Sequence, residues 1–118
     1  MAMKSDTRRA VAYIVGRAVS GKSSSSVYDF QEGGHHNFSG NVSAVAANVY
    51  DYDSSCHIGG QLTSLYHYGH GAHVQIKLNG TRFAGFDYDE AQHFSGDVRG
   101  SAVTLFDHAT GTHYHYSL

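Results

Sequence analysis

Along this chain the spacing of apolar residues changes once. Between residues 6 and 19, Val11, Ile14, Val15, Ala18 and Val19 recur at the spacing of a helical face, with Arg9 and Arg17 on the opposite side. Ser5 or Asp6 can cap the start of such a helix and Gly21 its end, which predicts a helix over 5–20. A Ser-rich linker, residues 21–26, follows. From residue 27 onward the apolar period drops to two, the spacing of half-buried strands.

The alternating region is repetitive. An aromatic residue or its equivalent opens a triplet at Tyr28, Tyr50, Tyr66, Phe86 and Phe106. The second position is Asp29, Asp51, His67, Asp87 and Asp107, and a histidine stands seven residues after each start, at His35, His57, His73, His93 and His113. A fixed period is the first thing to explain in any sequence. Each unit reads as strand, tight loop, strand, so residues 27–118 form five β-hairpin repeats of one domain spanning 1–118. "LNGT" at 78–81 adds an Asn-Gly turn between alternating runs, and "VRGS" at 98–101 a weaker one. The fold class is therefore all-β with one N-terminal α-helix: an antiparallel meander of eight to ten strands. It closes as an up-and-down barrel or folds as a roll or two-layer sandwich. A small parallel β-solenoid is the alternative; unequal repeat lengths and the Asn-Gly turn count against it.

Two hairpin registers compete. A three-residue loop puts the triplet Asp opposite the repeat His, whereas a four-residue loop puts the third triplet residue there. A slip of one residue reverses every face. Val27, Val49, Leu65 and Leu105 before the triplets share a face with Ile58, Val74, Phe94 and Tyr114 after the histidines only in the four-residue version. In that register the Asp residues turn toward the apolar side, placed to accept N–H groups of the loop. The aromatics and histidines share the other face, His73 beside Tyr68 and His93 beside Tyr88.

That outer face is the candidate binding surface. Tyr28, Tyr50, Tyr52, Tyr66, Tyr68 and Tyr88, with His35, His57, His73 and His93, repeat an amphipathic pattern suited to a repeated ligand such as a glycan, or to another copy of the chain. The competing expectation is that the helix or a second layer covers the stripe. Ten histidines also raise metal binding. Equivalent histidines of successive hairpins stand about 10 Å apart in a meander, too far for one chelate. His108, His113 and His115 gather in the last unit as a candidate site for Zn, Cu or Ni, no cofactor being otherwise required. His67, His70 and His73 form a poorer group, because His70 falls in a loop.

Composition narrows the rest. The formal charge of −2 with neutral histidines carries no basic patch for nucleic acid, and would reach +8 with all ten protonated. The lone Cys56 excludes an internal disulfide framework and a Cys-based zinc site. No Ser or Cys nucleophile recurs with the Asp–His pairs, and the chain has no P-loop, dinucleotide fingerprint or HExxH motif. The expectation is a non-enzymatic β-repeat protein that presents a Tyr/His face for binding or self-assembly. Its partner would be a copy of itself, another protein or a glycan; a metal-binding protein and a lectin-like module are the rivals. No segment is apolar for long enough to span a membrane as a helix, and the default compartment is the cytoplasm.

Overall fold

Helix α1 runs from Ser5 to Ser20, and every residue from Arg9 to Gly16 is buried. Burial on all sides means that the helix is enclosed rather than docked by one face. What encloses it is a closed ten-stranded barrel in the computed structural model, which describes residues 2–118. The strands are β1 Ser26–Asp29, β2 Gly34–Val42, β3 Ala46–Asp51, β4 Cys56–Gln61, β5 Leu65–His67, β6 Ala72–Asn79, β7 Arg82–Asp87, β8 Gln92–Arg99, β9 Ala102–Asp107 and β10 Thr112–Ser117. Each pairs antiparallel with its sequence neighbours and β10 returns to β1, so the chain is an up-and-down meander. Antiparallel pairing throughout excludes the solenoid.

Closure explains the helix. Eight strands leave an interior that side chains can just fill, and ten leave more. Here α1 fills it: a 16-residue helix is about 24 Å long at 1.5 Å per residue, and the whole molecule measures 32 × 28 × 25 Å. Val27, Phe38, Val49, Ile58, Leu65, Ile76, Phe94 and Leu105 line the lumen around Val11, Ile14 and Val15, all essentially inaccessible to water. Tyr13 stacks flat on Phe38, with centroids 4.4 Å apart. Where large rings of the neighbouring strands fold over the wall, the inward position is glycine. A Cβ on Gly85 would lie 1.9 Å from the Gln75 carbonyl oxygen and 2.5 Å from the Phe94 ring, so only glycine fits there.

Several details depart from the sequence reading. The helix cap is Lys4, in extended conformation, and neither Ser5 nor Asp6 caps it; the Asp6 carboxylate is engaged by His70 and Ser54 instead. Gly21 closes the helix in the left-handed region, as expected. The loops of the five units do contain four residues, but the pairing is Tyr28 with His35 and Asp29 with Gly34. The first triplet residue, not the third, therefore faces the histidine. The faces are unchanged, because the slip is by two residues. The third residue leaves its own hairpin because its N–H bonds to the neighbouring one: Tyr68 to the His57 carbonyl at 3.0 Å and Tyr88 to that of His73 at 3.0 Å. The "LNGT" turn likewise holds Gly80-Thr81, with Asn79 paired to Arg82. Gly80 at φ +63 in the first central position matches the II′ pattern.

The barrel is tightened where its ends meet. The β1–β10 ladder joins only Tyr28 with Ser117 and Asp29 with Tyr116. Gln31 extends it with its side chain, accepting from the His115 N–H at 3.0 Å and donating to the His115 carbonyl at 3.3 Å.

Candidate functional site

The five hairpin loops crowd one rim of the barrel, and each is built on the triplet. The Asp side chain folds inward and accepts the N–H two residues on: Gln31 to Asp29 at 2.8 Å, Asp53 to Asp51 at 3.0 Å, Asp89 to Asp87 at 3.0 Å and Ala109 to Asp107 at 2.9 Å. This is the Asx turn expected of a short carboxylate. With the loop fixed, the third triplet residue projects outward and packs edge-on against the first. The histidine packs against the first from the other side. Tyr66 meets Tyr68 at 4.8 Å and His73 at 5.0 Å; Phe86 meets Tyr88 and His93, each at 4.7 Å. Tyr50 lies between Tyr52 and His57, and Tyr28 between Phe30 and His35, in the same way.

The result is a ring of five three-ring stacks around the rim. The outermost members are well exposed, Phe30 at 58 %, Tyr52 at 55 %, Tyr68 at 64 % and Tyr88 at 57 %. His108 takes the same place in the fifth unit, edge-on to Phe106, its Nε2 3.0 Å from the Ser95 hydroxyl. The helix lies on the other side of the wall and covers none of this surface. The sequence-predicted tyrosines and histidines are thus brought onto the outer face, but His73 packs on Tyr66 and His93 on Phe86, rather than on Tyr68 and Tyr88.

Between neighbouring hairpins the outer wall sinks into clefts of one design. Tyr68 and His57 wall a depression of about 580 Å³, Tyr88 and His73 one of about 500 Å³, and His108 and His93 one of about 390 Å³. In each, the third triplet residue of one hairpin faces the histidine of the preceding hairpin. Successive clefts lie two strands apart, about 10 Å at ordinary strand spacing. A further depression of about 740 Å³ follows at Phe106 and His113, bordered by Lys77, Arg82, Asp97 and Thr104. The sequence carried the residues of these clefts. Their pairing across hairpins needed the order of the barrel.

The C-terminal histidines are not gathered. His113 packs on Phe106, His115 Nδ1 faces the Thr104 hydroxyl at 3.4 Å, and His108 is held toward Ser95. Among the described residues, the triads whose ligand atoms all lie within 4.8 Å of one another are Asp29–Glu32–His36 and Asp6–His67–His70. The first joins buried Asp29 to exposed Glu32 and a partly buried His36 that bridges Glu32, at 2.9 Å, and Asp53. His73, the third member of the group read from sequence, points to the outer face, its Nδ1 3.2 Å from the Leu65 carbonyl.

Inside the rim, charged groups of the helix N-terminus meet the ring of triplet second residues. Arg9 Nη2 lies 3.2 Å from Asp51 Oδ2 and 2.9 Å from the Ser54 hydroxyl, and the Met3 N–H donates to Asp107 at 3.1 Å. Asp6 faces His67 and His70. Burial, with smaller contributions from Asp89 and Glu90, pushes the Asp87 carboxyl above its ordinary value. Burial also pushes His67 below its ordinary value, with the His70 charge acting the same way. The sequence reading missed these rim contacts, because nothing along the chain says that residues 3–9 enter the barrel mouth.

These features define a class: a ten-stranded meander barrel plugged by its own N-terminal helix, with a repeated aromatic–histidine rim. No family model, curated protein or solved structure matches the chain. No helix of the described residues is long and apolar enough to cross a membrane.

Proposed function

We propose that this protein is a non-enzymatic binding protein whose Tyr/His rim engages a partner through several equivalent contacts. The observation that carries this reading is the set of three like clefts, each walled by the third triplet residue of one hairpin and the histidine of the one before it. The rings that overhang them are exposed yet held from behind by other rings. Rings already fixed in place lose little entropy when a partner covers them, and tyrosine offers both an apolar face and a hydroxyl. Several such subsites about 10 Å apart favour a partner that is itself repetitive, a glycan or further copies of this chain. The lumen is filled by α1 apart from a void of about 10 Å³ beside Thr7, Ile14, Ile58 and His67, too small for a ligand, so recognition falls to the outer wall.

The test is the triple variant Tyr52→Ser, Tyr68→Ser, Tyr88→Ser, compared with the unaltered protein. Native mass spectra across protein concentration report self-association, and a glycan panel read by tyrosine fluorescence reports sugar binding. The expected result is concentration-dependent oligomer or saturable glycan binding that the triple variant loses, with its thermal midpoint little changed because these side chains are surface-exposed. Neither binding mode in the unaltered protein, or either one undiminished in the variant, would refute the proposal.

A further inference from the structure

One hairpin breaks the pattern of the other four, and it does so where the helix offers a carboxylate. The second triplet position is Asp in four units and His67 in the third. As a turn cap His67 is the poorer choice: its Nδ1 takes the His70 N–H at 3.3 Å, where the four Asp carboxylates take the N–H two residues on at 2.8–3.0 Å. Its other nitrogen, Nε2, is buried without a hydrogen-bond partner among the described residues, in a side chain 1 % exposed. A buried nitrogen left unpartnered calls for an explanation beyond the turn.

That nitrogen points into a set of donors. Asp6 Oδ2 lies 3.9 Å from His67 Nε2 and 2.9 Å from His70 Nε2, while the two imidazoles stack at 4.2 Å with their Nε2 atoms toward the same carboxylate. All three ligand atoms fall within 4.8 Å of one another. Zinc bonded to nitrogen at about 2.0–2.1 Å brings its donors to within about 4 Å of each other. An imidazole donates in the plane of its ring, so His70, a partly exposed loop residue, turns out of its stack on His67 to share the ion. Two imidazoles and one carboxylate are ligands that suit zinc and its transition-metal neighbours, leaving further positions for water. His70 and Asp6 are partly exposed, which gives an ion a way in. Ligation through His67 Nε2 puts the ring proton on Nδ1. The His70 N–H then keeps its second acceptor, the His67 carbonyl at 3.2 Å.

We propose that Asp6, His67 and His70 form a divalent transition-metal site, zinc foremost, that ties the N-terminus of the lumen helix to the third hairpin. The site is distinct from the outer clefts, and neither reading depends on the other. It also explains why His replaces Asp in this hairpin alone.

The experiment is a Zn²⁺ titration of tag-free protein by calorimetry, with Co²⁺ absorption as a spectroscopic check and thermal melts with and without metal. The unaltered chain is expected to bind one equivalent and to melt higher with Zn²⁺ present, because an ion bound only by the folded state stabilises it. His67→Asn keeps a side-chain oxygen to cap the turn, and is expected to weaken Zn²⁺ binding about tenfold or more and to lose the melting shift. Asp6→Asn serves as the second variant should the first fail to fold. The double variant His113→Ala, His115→Ala is expected to bind as the unaltered chain does. Absence of stoichiometric binding, or binding that survives His67→Asn and Asp6→Asn, or that is lost with His113 and His115, would overturn the proposal.

Discussion

At the scale of single residues, the rim shows how one side-chain position takes different roles from the same backbone. Asp51 is matched by Arg9 and Asp107 by the Met3 N–H, whereas Asp87 Oδ2 has no hydrogen-bond partner among the described residues. Lys4, the nearby cation, is paired with Asp89 and Glu90 at the surface. With its folded pKa raised above the ordinary 3.8, Asp87 favours the folded state below that value. That contribution is lost as pH rises through the folded pKa, so at neutral pH the buried charge is a cost. Asp87→Asn keeps the oxygen that accepts from Asp89 and removes the charge. It is expected to stabilise the protein by about 1–2 kcal/mol at pH 7 and by almost nothing near pH 3, as read from urea unfolding at the two pH values.

The hairpin is the element in which the repeat makes sense. Its Asp pins the loop, its aromatic and histidine close one outer stack, and the last loop position turns the chain back in the left-handed region. Gly33, Gly71 and Gly111 take that position in three units; Ser55 at φ 52 and Ala91 at φ 54 take it in the other two. A side chain in this conformation costs about 1–2 kcal/mol, partly offset in glycine by the freedom it has when unfolded. Ala91→Gly is therefore expected to stabilise the fold by about 0.5–1 kcal/mol, a rise in the urea midpoint with an unchanged slope. A loss of stability there would mean that the loop is not held as the structure shows. The reason the sequence misplaced both the triplet register and the Asn-Gly turn also lies at this scale. Alternation defines which face a residue takes, and a shift of two residues leaves every face unchanged. The pattern thus separates odd slips from even ones but cannot choose among the even ones. The bond from the third residue to the neighbouring hairpin makes that choice.

For the whole molecule the governing fact is that helix and barrel are one core. Gly16 faces β9 and the residue that follows β10 so closely that a Cβ there would stand 2.9 Å from a Leu118 methyl and 3.1 Å from a Val103 methyl. Gly16→Leu is expected to overfill the lumen and destabilise by about 2–3 kcal/mol or more in chemical denaturation. Stability equal to the unaltered chain would show spare room beside the helix that the packing does not contain. The sequence by itself determined the limits of the helix, the five hairpins, the faces of their side chains and the use of Asp as a turn cap. These are local matters, set by periods of a few residues and by short side chains bonding to their own backbone. Closure of ten strands, the threading of α1 through them and the meeting of Asp6 with His67 and His70 were decided by the tertiary structure alone. The surface stripe Val11, Ile14, Val15, Ala18 and Val19 looks the same for a docked helix as for an enclosed one. Only the small residues Ala10, Ala12 and Gly16 on its other sides hinted at enclosure. What tells the two apart is the volume left inside a closed wall, a property of all ten strands together that no stretch of the chain contains.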